Sequence, residues 1–224
     1  MRLLLLSLFS IILFSCGMNK AVYKSPDFDA KAATHQTIAI LPFKITQTGH
    51  VGKNETTSDI KEANEKWGYT FQESLQSYVL KQTAKNKKGP VVQFQATQKT
   101  NALLSQNNLS IDAMYDRTPE ELAKLLNVDA VLMTTLEKDK NFSDGVAYGL
   151  AAGRTLVSIL SKNVNPVPWV NSSDINMNSS LYDKEDSKLL WKTYRNGGTD
   201  LPNNVDDLVK YYSNWIAKKL PYKS

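Results

Sequence analysis

The folded body of the chain begins with the apolar run Thr37-Ile38-Ala39-Ile40-Leu41-Pro42-Phe43. A compact run of this kind is typical of a strand that is buried on both faces of a sheet. Proline has no backbone N–H to donate to a neighbouring strand, so Pro42 predicts the end of this strand. A polar loop, rich in Gly, Thr and Asn, is expected to follow it.

Helical and extended patterns alternate along the remainder of the chain. Apolar residues at helical spacing predict helices over about 58–85, 99–106, 118–127 and 203–220. Short apolar or alternating runs predict strands over 91–94, 128–136, 174–183 and 189–194. This order predicts an α/β fold, a layered sandwich with a mixed sheet of about five strands and flanking helices.

One helix start is marked with particular clarity. Thr118 stands where an N-cap is needed, Pro119 occupies the first turn, and Glu121 is placed to complete a capping box. The helix that begins there leads directly into the predicted strand over 128–136.

The N-terminal residues have the parts of a bacterial lipoprotein signal. Arg2 supplies a positive start, and ten of the twelve residues from Leu3 to Phe14 are apolar, a run too short to span a membrane as a helix. The sequence Leu13-Phe14-Ser15-Cys16 then resembles the lipobox that is cleaved before an acylated cysteine. We therefore expect a signal peptide over 1–15, a lipidated tether over 16–36 and a single periplasmic α/β domain over 37–224.

Lipidation also predicts the location of the protein. Cys16 is the only cysteine, and we expect it to carry diacylglycerol and an N-acyl lipid, because stable attachment takes at least two acyl chains. Gly17 follows it, whereas Asp at that position commonly signals inner-membrane retention in lipoproteins of this kind. The expected location is the outer membrane, with the domain anchored by lipid and facing the periplasm.

Composition and charge narrow the range of partners. Hydrophobic residues make up 42% of the chain and charged residues 22%, close to the averages of globular proteins. The net charge of +5 is a mild bias, and the nearest approach to a basic stripe, 81–88, falls at a predicted helix end where cations complement the helix dipole. The sequence therefore predicts no nucleic-acid partner.

The inventory of reactive side chains argues against an enzyme. There are two histidines, His35 in the predicted tether and His50 in a Gly-rich loop, and neither has a second ligand at metal spacing. The loop Gly49-His50-Val51-Gly52-Lys53-Asn54 resembles a phosphate-binding loop, but its glycines are too close together and Asn54 stands where Ser or Thr would bind magnesium. We expect no catalytic residue, no metal and no cofactor apart from the covalent lipid.

Several features, in a fixed order, resemble a known group of envelope lipoproteins. They are the lipoprotein signal, the strand that ends in Leu41-Pro42-Phe43, the long helix, the segment Asn127-Val128-Asp129-Ala130-Val131-Leu132 and the hairpin Ser180-Leu181-Tyr182-Asp183 to Lys188-Leu189-Leu190-Trp191. The group includes the curli secretion lipoprotein CsgG, the penicillin-binding-protein activator LpoB and the TolB N-terminal-like lipoproteins. The resemblance spans about 37–220. It implies a non-enzymatic domain that docks onto envelope machinery or assembles into it.

The segment between the third and fourth predicted strands holds the candidate interaction residues. Gly145, Gly149 and Gly153 recur every fourth residue, so on a helix they would form a smooth groove that permits close approach of another backbone. Trp169 follows in the extended stretch Pro166-Val167-Pro168-Trp169. The sequence leaves open whether residues 142–169 pack on the domain itself, on a partner or on the membrane.

Two functions remain open from the sequence. The first is an outer-membrane lipoprotein that acts as an adaptor or assembly factor for an envelope transport or cell-wall complex, with a partner that the sequence does not name. The second is a self-assembling secretion channel of CsgG type, which requires a homo-oligomer.

Overall fold

The computed structural model describes residues 22–49, 51, 55–85, 92–140, 173–199 and 205–222. The strands in these ranges are β1 (Val22–Lys24), β2 (Thr37–Ile40), β3 (Lys44–Gly49), β4 (Gln93–Phe94), β5 (Ala130–Lys140), β6 (Ser173–Asp183) and β7 (Leu189–Thr199). The helices are α1 (Phe28–Ala32), α2 (Thr57–Thr83), α3 (Thr97–Gln106), α4 (Ile111–Tyr115), α5 (Pro119–Leu126) and α6 (Val205–Lys219). Among the residues described, no helix has both the length and the apolar character needed to cross a bilayer.

The strands form one mixed sheet in the order β1-β7-β6-β5-β2-β4. The pairs β5–β6, β6–β7 and β7–β1 are antiparallel, whereas β2 runs parallel to both β5 and β4. Strand β3 is also parallel to β5 and continues along the same edge, because β2 pairs with 130–132 of β5 and β3 pairs with 135–140. One edge of β5 therefore carries two consecutive partners from one stretch of chain.

Helices cover the sheet in two layers with separate cores. On one face, α1, α2 and α6 enclose a core that includes Phe28, Phe71, Trp191 and Ile216. On the other face, α3, α4 and α5 pack on β2 and β5 around Leu104, Met114, Leu122 and Val131. The predicted layered α/β sandwich with a mixed sheet is confirmed.

The long periodic elements lie close to where the sequence places them. Helix α2 spans Thr57–Thr83 and α6 spans Val205–Lys219, and α5 begins with the predicted capping box of Thr118 and Glu121. Strands β5, β6 and β7 are each 11 residues long, so β5 and β7 extend further than predicted.

The polar stretch after Phe43, predicted to be a loop, is strand β3. Its sequence lacks an apolar alternation because only part of it faces a core. Its stability comes from six residues of pairing with β5, which a local pattern does not reveal. Strand β3 and the edge strand β1 raise the sheet from about five strands to seven.

The predicted tether over 16–36 is too long at its C-terminal end. Val22–Lys24 pairs with β7 as the edge strand β1, and Phe28 in α1 is buried in the main core with 2% of its surface exposed. A strand of three residues and a helix of five are too short to show a period, so no sequence pattern predicts them. The folded domain therefore includes residues 22–36.

His35, placed by the sequence in the tether, is at the centre of a buried polar cluster. Its Nδ1 lies 2.5 Å from the hydroxyl oxygen of Tyr222, and its Nε2 lies 3.1 Å from Oδ2 of Asp183. Oδ1 of Asp183 accepts a hydrogen bond from the backbone N–H of Glu185 at 2.7 Å. Burial raises the pKa of Tyr222. These contacts join the segment after α1, the C-terminal segment and the β6–β7 turn.

We expect Tyr222→Phe to lower the free energy of unfolding by about 1–3 kcal/mol, because it leaves a buried ring nitrogen of His35 without its partner. Tyr23→Phe is the matched control, since the Tyr23 side chain is 47% exposed and the change should be close to neutral. Urea denaturation of the three proteins measures the difference. Equal midpoints would mean that the His35–Tyr222 contact contributes nothing to stability.

Candidate functional site

A groove with a cavity of about 240 Å³ lies beside strand β3 and is called the β3 groove here. Residues from the strand, from the first turns of α2 and from the start of α4 line it. They are Phe43, Lys44, Ile45, Thr46, Gln47, Thr57, Ile60, Lys61, Asn64, Glu65, Ile111 and Asp112.

The floor of the groove is the outer edge of the strand. Five consecutive residues, 43–47, line it, and successive side chains in a strand point to opposite faces of the sheet. The groove therefore follows the backbone edge and not one face. Strand β3 pairs with β5 on its inner side, and no other strand in the described ranges pairs with it. An edge of this kind presents backbone N–H and C=O groups to an incoming chain.

Helices α2 and α4 form the two walls. The α2 residues are spaced by three and one, at 57, 60, 61, 64 and 65, so they share one helix face. Ile60 is half-buried and gives this wall an apolar centre. From the opposite face of the sheet, the buried Ile111 and the exposed carboxylate of Asp112 close the other side.

At one end the groove is closed where α2 touches the strand backbone to backbone. The N–H of Phe43 donates to the carbonyl oxygen of Gly68 at 3.1 Å. A Cβ on Gly68 would collide with the carbonyl oxygen of Phe43 and lie 2.9 Å from Cδ1 of Ile111. Only glycine permits this approach, and the residues that line the groove belong to the part of α2 that precedes it.

The hydrogen-bond ladder between this stretch of chain and β5 is interrupted at Pro42. Leu41 still donates its N–H to the carbonyl oxygen of Leu132, at 3.0 Å, but Pro42 has no N–H to continue the ladder. The hydroxyl of Tyr115 fills the gap. It accepts a hydrogen bond from the N–H of Thr134 at 2.9 Å and donates one to the carbonyl oxygen of Thr134 at 2.5 Å. Its burial raises the pKa of Tyr115.

Charged side chains occur at the rim and not on the floor. Nζ of Lys44 and Nζ of Lys61 lie 3.7 Å and 3.5 Å from the two carboxylate oxygens of Asp112. The side chains of Lys61 and Asp112 are more than half exposed, so these ion pairs contribute little to stability and can rearrange around a ligand.

The geometry of the groove suits an extended polypeptide better than a small organic molecule. Pockets for drug-sized ligands usually enclose about 300–1,000 Å³, which is more than this groove provides. A strand edge beside a helix instead offers backbone hydrogen bonds along its length and space for alternate side chains, as in binding by strand addition. The described residues contain no group of three or more His, Cys, Asp or Glu side chains arranged to hold a metal ion.

The site residues predicted from the sequence fall in ranges that the structure does not describe. Cys16, Gly145, Gly149, Gly153 and Trp169 lie outside the described residues, so their predicted roles stay predictions. His35 is buried in the cluster with Asp183 and Tyr222, where 3% of its side chain is exposed.

Sequence reasoning missed the edge of β3 and the role of Gly68. Two signals were available. Pro42 interrupts an otherwise continuous strand, and Gly68 stands inside a long helix, where glycine costs about 1 kcal/mol relative to alanine unless packing requires it.

Comparisons with known proteins give similarity to solved structures only. No protein-family model matches the chain, and no curated protein matches it. The lipoprotein GNA1162 from Neisseria meningitidis is 14% identical, with a TM-score of 0.40 and coverage of 82% of this chain and 99% of that one. The PelC L103M dodecamer from Paraburkholderia phytofirmans is 8% identical, with a TM-score of 0.40 and coverage of 92% and 98%. The LpoB C-terminal domain from Salmonella enterica is 11% identical, with a TM-score of 0.33 and coverage of 74% and 84%.

We expect Gly68→Ala to lower the free energy of unfolding, although alanine is the better helix former. The added methyl group must push α2 away from the carbonyl oxygen of Phe43, which should lower the free energy of unfolding by about 1–3 kcal/mol. The higher helix propensity of alanine offsets only about 1 kcal/mol of this loss. Ala63→Gly, at an exposed position of the same helix, is the control that measures the propensity effect alone. A gain in stability for Gly68→Ala, equal to the loss for Ala63→Gly, would show that the close approach is absent in solution.

Proposed function

We propose that the chain is an outer-membrane lipoprotein, anchored through Cys16 and facing the periplasm, that acts as a non-enzymatic adaptor. It holds an extended segment of an envelope partner protein in the β3 groove. The observation that carries this proposal is the outer backbone edge of β3, which lies between α2 and α4 and with which no strand in the described ranges pairs.

Backbone pairing would supply the affinity of this contact. An incoming strand beside 44–47 would gain hydrogen bonds along the edge with which no described strand pairs, and it would cover the apolar side chains of Ile60 and Ile111. The walls would supply specificity, because they admit the side chains of alternate residues of the bound segment. Lys44 and Lys61 share the Asp112 carboxylate at the rim and are placed to meet polar groups at one end of that segment.

The lipobox sequence supports lipid attachment at Cys16, and the start of β1 limits the length of the linker between Cys16 and the sheet. Cys16 stands at the end of the lipobox, and β1 begins at Val22, so six residues, 16–21, connect the acylated cysteine to the sheet. Fully extended, six residues reach about 20 Å. The adaptor would therefore work close to the membrane surface.

Replacement of the lipidated residue tests the anchor. We expect the wild-type protein to fractionate with outer membranes and to carry the mass of a diacylglycerol and an N-acyl chain on Cys16, because a single acyl chain gives only reversible binding. Cys16→Ala should lose that mass and leave the membrane fraction. A wild-type protein with an unmodified thiol in the soluble fraction would contradict the proposed anchor.

Photocrosslinking tests the groove in the organism of origin. A photoreactive amino acid at Asn64, in the α2 wall, should form a crosslink to one envelope protein, whereas the same residue at the exposed Glu62 should not. Asn64→Trp fills the groove and should weaken binding of the captured partner about tenfold, which is about 1.4 kcal/mol. Glu62→Trp is the matched control, and both variants should melt at the wild-type temperature. Equal crosslinking from both positions would contradict the groove as the docking site.

One observation favours the second function, a self-assembling channel of CsgG type. Strand β1 pairs only with 191–193 of β7, so 194–199 of β7 has no strand partner on its outer side among the residues described. Residues 194–199 and strand β3 lie at the same height along the sheet. Strand β3 pairs with 135–140 of β5, which pair with 173–178 of β6, and these pair with 194–199 of β7. Two open edges at one level permit head-to-tail pairing of copies. In the crosslinking experiment this function would give a crosslink from Asn64 to 194–199 of a second copy and an oligomer of defined mass by light scattering.

A further inference from the structure

We propose that the β1 edge of the sheet is the surface with which the anchored protein lies on the membrane, and that it contacts anionic phospholipid headgroups. The surface consists of Tyr23, Lys192, Arg195, Tyr211 and Trp215 and is called the β1 edge patch. The proposal rests on the lipid anchor of the proposed function but not on the β3 groove.

The position of β1 brings this edge to the bilayer. Val22 is the first residue of β1 and pairs with Thr193 of β7. The six residues from Cys16 to Ala21 span at most about 20 Å, so the acylated cysteine must enter the bilayer within that distance of Val22. The surface around Val22 is therefore the part of the described domain that the chain connection holds nearest to the lipid.

Aromatic and cationic side chains are exposed on both sides of this edge. Tyr23 is 47% exposed and stands opposite the exposed Lys192 in the β1–β7 register. On the other face, the guanidinium of Arg195 lies 4.8 Å from the ring centre of Tyr211 and 5.5 Å from that of Trp215. Tyr211 is 48% exposed, and its hydroxyl accepts a hydrogen bond from Arg195.

This composition fits a phospholipid surface. Tyrosine and tryptophan favour the headgroup region, where the ring meets apolar chains and the polar atom meets water. Neither Lys192 nor Arg195 forms an ion pair with a described residue, and the Arg195 guanidinium contacts the uncharged side chains of Tyr211 and Trp215, so no described carboxylate neutralises either charge, and both cations favour lipid phosphates. Lys24 is excluded from the patch because it pairs with Asp29 at 2.7 Å.

The position of the docking edge agrees with this orientation. Four strand spacings, from β1 through β7, β6 and β5 to β3, separate the two edges, which is about 19 Å at the usual spacing. With the β1 edge patch on the bilayer, the β3 groove opens on the side away from it.

Spin labelling of the acylated full-length protein tests the proposal. Acylation blocks Cys16, the only native thiol, so single cysteines introduced as Tyr23→Cys and Tyr211→Cys take the label specifically. Gln98→Cys, at an exposed position of α3 beside the opposite edge, is the control. The proteins are reconstituted in vesicles of phosphatidylethanolamine and phosphatidylglycerol, and the accessibility of each label to oxygen and to a water-soluble nickel complex is measured.

We expect the labels at 23 and 211 to lose accessibility to nickel and gain accessibility to oxygen on transfer from detergent to vesicles, while the label at 98 does not change. Lys192→Gln, or phosphatidylcholine in place of phosphatidylglycerol, should reduce the shift severalfold. Three labels with the same accessibility would overturn the proposal. So would dipolar broadening between labels at 23 on separate molecules, because it would show that a second copy covers the edge. A native thiol at Cys16 that takes the label would instead show failure of the anchor itself.

Discussion

The structure depends on the hydrogen bonds between β5 and the stretch of chain that contains β2 and β3. Pro42 interrupts this ladder, and the Tyr115 hydroxyl bonds to the β5 backbone at the interruption. One stretch of chain runs along β5 from Thr37 to Gly49, but Pro42 supplies no N–H in the middle of it. The Tyr115 hydroxyl accepts a hydrogen bond from the N–H of Thr134 and donates one to the carbonyl oxygen of the same residue, so the break leaves neither backbone group without a partner. The chain can therefore continue as β3 after the interruption, and β5 is the only described strand that pairs with it.

The repair explains why a helix of five residues matters to the site. An unsatisfied buried backbone group costs about 1–3 kcal/mol, so the position of Tyr115 is strongly constrained. Tyr115 is the last residue of α4, and Ile111 and Met114 fix the same helix in the core. Ile111 also meets Gly68 and lines the groove. Helix α4 thus supplies the hydroxyl that bonds to the β5 backbone, packs where α2 approaches β3, and forms one wall of the groove.

The sequence predicted the elements that carry their own pattern and missed those that depend on a partner. Helices α2, α5 and α6 and strands β5 and β6 show long periods, capping signals or apolar runs. Strands β1 and β3 and helices α1 and α4 are short or polar, and their stability comes from pairing and packing across the sheet. The β3 groove is built largely from these missed elements, so its location could not follow from local patterns. The proposal that Cys16 carries lipid rests on a motif that needs no tertiary context.

The proposed anchor and the proposed docking site lie on opposite edges of a sheet with little freedom to deform between them. Strand β6 pairs with β5 at 11 positions and with β7 at 10 positions, with one register shift between Leu181 and Tyr182, and the shared core holds the register. The buried cluster of His35, Asp183 and Tyr222 ties the segment after α1 to the β6–β7 turn. A pull on the anchor is therefore borne by β1 and by this cluster together. A frame of this kind would hold the proposed partner at a fixed height above the membrane, which is the physical requirement for an adaptor that positions its partner without a conformational change.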